Sequence, residues 1–243
     1  MNINSKSFAT QPAGVSSVSD PKLFDSFNDA DCSAAIWARD VPLDKQAWIN
    51  GLERRVLPTG RVIIPTNLVT ETVTNLFDIS GLPPGPNRTW FERDITSLAT
   101  IFSEVVKSKY LRLRFNVVET CMCPKFHVDS ITARLICTYR GLGTQYGISE
   151  LGEDPKHVYT LETGVPILLK GLLWPTKPRV DLLHRSPPTN GKEETRLINQ
   201  GTLKKSDQGG KTPVLVSNRE VVIRPNIAKI IGIDKLEKIN NRG

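Results

Sequence analysis

The chain has 243 residues, of which 39% are hydrophobic and 7% aromatic, and its formal net charge is +7. This composition is sufficient for one substantial buried core and excludes a chain dominated by disorder. No stretch approaches the roughly 18 to 20 apolar residues of a membrane span, and the first residues lack the apolar core of a signal peptide. We therefore expect a cytoplasmic protein without membrane contact.

The two ends of the chain differ from its middle in composition. Residues 1–35 are rich in Ser, Asn and Asp, which predicts a flexible segment. Residues 192–243 contain 11 basic and six acidic side chains but no aromatic residue for base stacking. We expect a solvated basic extension over 201–243 and do not expect nucleic acid as a partner. A single domain over 36–200 remains.

Three helices are predicted in the first half of this domain. Apolar residues recur near helical spacing over 43–56, 67–77 and 93–107. The Pro- and Gly-rich stretch 81–86 separates the second helix from the third, and it is a connection rather than a phosphate-binding loop. We expect these helices to pack outside a β-barrel.

Strands follow the helices. Residues 111–117 place Leu111 and Leu113 on one face and Arg112 and Arg114 on the other, as in a half-buried strand. A second strand is predicted over 131–139, which is rich in β-formers, a third over 164–171, and a fourth over 180–183. Separate strands of a small barrel can bring distant residues together at one mouth.

Two histidines and one aspartate lie at the ends of these strands. His127 and Asp129 precede the strand 131–139, and His184 follows the strand 180–183. Two imidazoles and one carboxylate can hold a divalent metal on one face and leave the opposite face open. We predict that His127, Asp129 and His184 bind a metal, with iron(II) and zinc both compatible.

Other interpretations of these residues remain open. His127 could cap its strand and bond to Asp129, and His184 could be a loop histidine. The four cysteines do not form a disulfide framework. Cys121 and Cys123, however, would favour zinc or copper(I) if their thiolates joined the site.

The chain resembles the bacterial domain-of-unknown-function family numbered 1826 over residues 35–198. Four ordered motifs carry the resemblance: Cys123-Pro124-Lys125-Phe126-His127-Val128-Asp129, Arg134-Leu135-Ile136-Cys137-Thr138-Tyr139-Arg140-Gly141, Leu168-Leu169-Lys170-Gly171 with Trp174-Pro175, and Leu183-His184-Arg185-Ser186-Pro187-Pro188. The resemblance implies an α+β fold in which N-terminal helices pack outside a double-stranded β-helix, the cupin-like jelly roll. It also implies kinship with iron(II)/2-oxoglutarate oxygenases.

The chain departs from the family pattern at two places. The family usually has Gly-Pro-Gly-Thr where this chain has Gly141-Leu142-Gly143-Thr144, a change that affects loop stiffness. After the fourth motif the family continues into an apolar closing strand, whereas residues 195–200 turn polar quickly.

The resemblance also suggests residues beyond the metal ligands. Arg196 lies 12 residues after His184, where related oxygenases have the arginine that binds a carboxylate of 2-oxoglutarate. Arg134, on the strand after Asp129, competes for this role.

Four further residues are candidates for the mouth of the site. Arg185 and Ser186 follow His184 directly and could contact an anionic substrate or fix the loop. Lys170 and Trp174 could line the mouth, although Trp174 could equally close the hydrophobic core.

Two classes of function fit this sequence. In the first, the chain is an iron(II)/2-oxoglutarate-dependent oxygenase that acts on a small molecule. In the second, it binds zinc in metal homeostasis without turnover. A metal-dependent hydrolase is an intermediate alternative, since a metal-bound water can be nucleophilic near neutral pH. The sequence does not decide whether the protein is an enzyme, and it does not indicate the oligomeric state.

Overall fold

The computed structural model describes residues 11–119, 123–176, 181–188 and 195–203, and the backbone of a two-residue strand at 215–216. The strands are β1 Val15–Val18, β2 Ala34–Trp37, β3 Gly60–Pro65, β4 Tyr110–Val118, β5 Ala133–Arg140, β6 Gln145–Ile148, β7 Tyr159–Thr160, β8 Ile167–Lys170, β9 Leu182–Arg185, β10 Arg196–Leu203 and β11 Leu215–Val216. The helices are α1 Leu43–Gly51, α2 Val69–Ser80 and α3 Pro86–Val105, with short 3-10 helices at Pro21–Asn28, Arg54–Val56 and Thr66–Leu68.

The described strands form two sheets. The large sheet has the order β1-β2-β8-β5-β10-β4-β3-β11, and the small sheet has the order β7-β6-β9. All neighbouring strands are antiparallel except β1 and β2. A β-bridge between His127 and His184 adds one further chain segment to the small sheet beside β9.

The path of the chain alternates between the two sheets. It leaves the large sheet after β4, joins the small sheet at His127, returns at β5, and crosses again to β6 and β7. It then crosses back to β8, over to β9 and back to β10. This alternation is that of a double-sheet jelly roll, so the predicted α+β double-stranded β-helix is confirmed.

Strand alternation separates two cores. On β4, Leu111, Leu113 and Phe115 are buried with α2 and α3 in the larger core, on the outer face of the large sheet. A smaller core lies between the sheets and includes Ile136 and Ile198. The helices thus pack outside the jelly roll, as predicted.

Residues between α2 and α3 explain where these helices end and begin. Gly81 follows α2 with a φ of 75° and its N–H bonds back to the helix, a left-handed C-cap that glycine adopts without strain. Helix α3 begins at Pro86, earlier than the predicted residue 93, because proline fits the first helical turn, where its missing N–H has no helical acceptor.

Residues 11–35 are the described part of the predicted flexible segment 1–35, and they contain a strand and a 3-10 helix. Strand β1 pairs with β2 in the large sheet, and β2 pairs with β8. Between β1 and β2, Phe24 and Phe27 are buried in the larger core. Together with the strand pairing, these two aromatic side chains attach the segment to the fold, because each buries a large apolar surface.

The polar stretch at 195–200, where the chain departs from the family pattern, forms most of strand β10. Every residue of β10 is buried, and the strand pairs with β4 on one side and β5 on the other. The predicted basic extension 201–243 lies outside the described residues except for the end of β10 and the backbone of β11. Within the described part of the chain, no helix combines the length and apolar character needed to span a membrane.

Candidate metal centre and cavity

Two of the predicted ligands are joined through their backbones. The N–H groups of His127 and His184 each donate to the other residue's carbonyl oxygen, at 3.1 and 3.0 Å. The two imidazole rings consequently lie side by side, with centroids 4.5 Å apart. Position 127 and position 184, 57 residues apart in the chain, are thus fixed relative to each other by main-chain hydrogen bonds.

Asp129 completes the group. Its Oδ1 lies 3.7 Å from His127 Nε2, and its Oδ2 lies 3.3 Å from His184 Nε2. One donor atom from each of the three residues can be chosen so that all lie within 4.8 Å of one another. The carbonyl oxygen of Asp129 accepts from Leu172 N–H at 2.9 Å, which attaches this loop to the end of β8.

The electrostatics of the group favour an ionised Asp129 beside a neutral His184. Burial raises the pKa of Asp129, but His127, His184 and Arg134 outweigh it and hold that pKa well below its usual range. Burial lowers the pKa of His184, and contact with Asp129 raises the pKa of His127. The buried His184 is therefore neutral at pH 7, as a metal ligand must be.

These residues fit a divalent metal ion. His127 Nδ1 lies 2.9 Å from Lys125 O, so its hydrogen points at that carbonyl and the lone pair of Nε2 faces Asp129. The buried Oδ2 of Asp129 makes no contact with hydrogen-bond geometry in the described structure. This oxygen lies within ion-pair distance of Arg134 but accepts no hydrogen bond, so beside two imidazole nitrogens it is suited to coordinate a cation.

A cavity of about 140 Å³ opens on this group. It is lined by Arg114, Cys123, His127, Asp129, Arg134, Ile136, Thr144, His184, Arg185, Ser186, Arg196, Ile198 and Gln200.

Both predicted cosubstrate arginines line this cavity, in different settings. Arg196 is 1% exposed, and its Nε donates to Leu142 O at 2.8 Å. Arg134 places Nη1 3.1 Å from Asp129 Oδ2. Arg134 is therefore an ion-pair partner of Asp129. Arg134 lies beside Thr202 near the end of β10, whereas Arg196 is the first residue of that strand.

Arg185 and Ser186 line the cavity as well. The Arg185 guanidinium lies over the Phe126 ring at 4.2 Å, and its Nε donates to Gln145 Oε1 at 2.8 Å. Ser186 N–H donates to Cys123 O at 3.0 Å. Both residues thus hold the loop around His127 as well as forming part of the cavity wall.

Lys170 and Trp174 do not line the cavity. Lys170 Nζ lies 5.5 Å from the Phe27 ring and 5.1 Å from the Trp174 ring, and it donates to Asp29 O at 2.8 Å. The alternation of β8 explains the difference, because Leu169 belongs to the core between the sheets and Leu168 to the core beneath the helices. Lys170 shares the face of Leu168 and so points away from the cavity.

The thiolate alternative gains no support from the described residues. Cys123 lines the cavity, but it is not part of the group whose donor atoms converge. Cys121 lies outside the described residues. His157, which belongs to neither motif, is likewise not part of the group.

The sequence interpretation missed three polar wall residues, Arg114, Thr144 and Gln200. A signal for Arg114 was present, since it alternates with Leu111, Leu113 and Phe115 and must therefore lie on the face opposite the helices. The order of the strands, which the sequence does not give, is what brings this face next to His127, Asp129 and His184.

Comparison with known proteins assigns the chain to a family. The model of the family described as a protein of unknown function, DUF1826, matches residues 18–199. Among curated proteins, none matches the sequence.

Solved structures that resemble the chain include three dioxygenases or hydroxylases. Dioxygenase for auxin oxidation 1 from Arabidopsis thaliana, in complex with 2-oxoglutarate, has a TM-score of 0.46 and 9% identity, with 79% of this chain and 92% of that chain covered. The rice dioxygenase for auxin oxidation has a TM-score of 0.42 and 13% identity, covering 80% and 84%. A Pseudomonas putida prolyl-4-hydroxylase has a TM-score of 0.37 and 12% identity, covering 76% and 93%.

Proposed function

The chain belongs to the DUF1826 family of proteins of unknown function, and we propose that it is an iron(II)/2-oxoglutarate-dependent oxygenase that acts on a small molecule. One observation carries this proposal. The donor atoms of His127, Asp129 and His184 converge in the same cavity that contains the buried guanidinium of Arg196.

The three ligands account for the metal. Two imidazole nitrogens and one carboxylate oxygen on one face are the set that non-haem iron(II) oxygenases use, with the remaining positions open. A bound iron(II) ion would supply the activation of dioxygen. The chain contributes the ligand geometry, with His127 oriented by the carbonyl of Lys125 and Asp129 kept ionised by its basic neighbours.

Arg196 accounts for the cosubstrate. A guanidinium is planar and two-pronged, so it suits the carboxylate that 2-oxoglutarate extends away from the metal. Because Arg196 is 1% exposed, water screens its attraction to a carboxylate only weakly. Arg134 is the less suitable candidate, since its guanidinium already lies against Asp129.

The test is metal analysis of protein purified anaerobically without a histidine tag, followed by titration of the iron(II) form with 2-oxoglutarate. We expect one metal per chain and a visible charge-transfer band that saturates with 2-oxoglutarate. Arg196→Gln should keep the metal and weaken 2-oxoglutarate binding by roughly tenfold to a hundredfold, the range for a hydrogen bond to a charged group.

Two results would contradict the proposal. Tight zinc with no binding of 2-oxoglutarate would favour metal storage or a hydrolytic metal site. Unchanged 2-oxoglutarate affinity in Arg196→Gln would show that Arg196 does not bind the cosubstrate. The proposal would then lack the residue that distinguishes an oxygenase from a metal-storage protein or a hydrolase.

A further inference from the structure

Arginines are concentrated on the cavity face of three strands of the large sheet. Arg61 on β3 pairs in register with Arg114 on β4, and Gln200 on β10 lies beside Arg114. In the next row along the sheet, Thr202 lies between Arg112 on β4 and Arg134 on β5. The residues that alternate with these arginines are buried beneath the helices, so the arginines face the small sheet.

The charge of the cavity exceeds what the metal and cosubstrate require. Four arginines line it, Arg114, Arg134, Arg185 and Arg196, and Asp129 is its single carboxylate among the described residues. With both histidines neutral, the net charge of these cavity-lining residues is +3. A divalent metal and 2-oxoglutarate, with opposite double charges, cancel each other, so the same excess remains when both are bound.

Three of the four arginines already have defined contacts. Arg196 donates to Leu142 O, Arg134 lies against Asp129, and Arg185 donates to Gln145 and stacks on Phe126. Arg114, in contrast, makes no side-chain hydrogen bond or ion pair with any residue in the described part of the chain. Burial lowers its pKa, and the nearby positive charge of Arg134 lowers it further.

The backbone positions of Arg114 and Arg196 are also well separated along the sheet. Gln200, the β10 neighbour of Arg114, is four residues from Arg196 along the strand, which corresponds to roughly 13 Å. The two arginines therefore reach the cavity from different rows of the sheet, which provides two attachment points for anionic groups, one at Arg196 and one at Arg114 beside Arg134.

We propose that the substrate is an anionic small molecule whose carboxylate or phosphate group binds Arg114, in the cavity that also contains His127, Asp129 and His184. This proposal rests on the oxygenase function, which supplies the cosubstrate at Arg196. An anion at Arg114 would neutralise part of the excess charge, and Arg112 and Arg134 would add to the attraction.

The experiment is calorimetric titration at low ionic strength with two probes, inorganic phosphate and benzoate. It is run with Mn²⁺ and 2-oxoglutarate present, and again with neither. The variants are Arg114→Gln, Arg114→Lys and the matched control Arg54→Gln. The control removes a positive charge from an exposed ion pair with Glu119, and neither of these two residues lines the cavity. Thermal unfolding checks that each variant is folded.

We expect at least one probe to bind in both runs. Its affinity should fall at least tenfold in Arg114→Gln, several-fold in Arg114→Lys, which keeps the charge but loses the two-pronged geometry, and less than twofold in Arg54→Gln. If Arg114→Gln does not fold, the proposal is tested by comparing the probe affinity of Arg114→Lys with that of Arg54→Gln. The probe with the larger dependence on Arg114 identifies the preferred anionic group.

Two results would overturn the proposal. One is equal affinity in wild type and in both Arg114 variants. The other is loss of probe binding when 2-oxoglutarate saturates the protein, which would assign Arg114 to the cosubstrate. A failure of the proposed oxygenase function is distinguishable from a failure of this proposal. It would appear as absent 2-oxoglutarate binding in the wild-type protein. The titration without metal and 2-oxoglutarate would still measure anion binding at Arg114.

Discussion

His127 and His184 exchange both of their backbone hydrogen bonds, so the spacing of the two imidazoles does not depend on the imidazoles themselves. A pair of main-chain hydrogen bonds survives replacement of either side chain. The ligand positions should therefore persist in variants that lack a ligand, and loss of metal can be separated from loss of fold.

His184→Ala should lose metal and keep the fold. Partners that only orient a ligand alter metal affinity by about 10- to 100-fold. Removal of the ligand itself should thus weaken binding by more than roughly a hundredfold, measured by competition with a chelator. His157→Ala is the matched control, because this histidine is not part of the converging group. Stoichiometric metal in folded His184→Ala would contradict the assignment of the three ligands.

Period-two alternation predicted the strand at 111–117 because its two faces differ in chemistry, with leucines beneath the helices and arginines toward the cavity. The same reasoning missed β10. Its polar residues Arg196 and Gln200 are buried in the cavity wall rather than exposed to water, and a pattern of polar and apolar residues cannot distinguish a polar cavity from solvent.

The convergence of His127, Asp129 and His184 was predictable because His127 and Asp129 are two residues apart and His184 lies on a recognisable strand. The wall of the cavity was not predictable, because it depends on which strands become neighbours. Lys170 illustrates the limit. Residues 167–169, which precede Lys170, are apolar on both faces of the strand, so the sequence contains no sign of which face borders the site.

Gly171→Ala should disturb the loop that carries Asp129. A Cβ at position 171 would lie 2.1 Å from Ile131 O and 2.9 Å from Asp129 O, and a backbone oxygen cannot move aside like a flexible side chain. We expect metal affinity to fall at least tenfold, with a loss of unfolding free energy of about 1 to 3 kcal/mol from overpacking. The affinity is measured by chelator competition and the stability by urea denaturation.

Gly51→Ala is the control for that substitution, since a Cβ at position 51 meets no atom within 4 Å. Metal affinity should be unchanged there. Equal affinity in Gly171→Ala and Gly51→Ala would show that the close approach at position 171 does not position Asp129.

Cys137 should resist alkylation in the folded protein. Burial raises its pKa to about 12, despite the nearby guanidinium of Arg39, so roughly one thiol in ten thousand is ionised at pH 8. Cys123 is exposed at the cavity. Treatment with iodoacetamide at pH 8 and peptide mass spectrometry should find Cys123 modified and Cys137 modified only after unfolding. Comparable labelling rates at the two positions in native protein would contradict the packing of β5.

Asp94→Ala should be strongly destabilising, because Asp94 joins α3 to two other parts of the fold. Its two carboxylate oxygens accept from Arg39 at 2.5 and 2.8 Å, and Oδ2 also accepts from the Tyr139 hydroxyl at 2.5 Å. The Arg39 and Asp94 side chains are only 11% and 13% exposed.

Removal of the Asp94 carboxylate would leave the Arg39 guanidinium buried without its counter-ion and the Tyr139 hydroxyl without its acceptor. Breaking a buried pair in this way costs about 3 to 5 kcal/mol. The matched control is Glu53→Ala, which breaks an ion pair with Arg55 whose side chains are 68% and 74% exposed, where we expect a loss below about 1 kcal/mol. Both values come from urea denaturation. A loss in Asp94→Ala as small as that in Glu53→Ala would mean that the Arg39 charge is hydrated, and that α3 is held to the sheet by its apolar face alone.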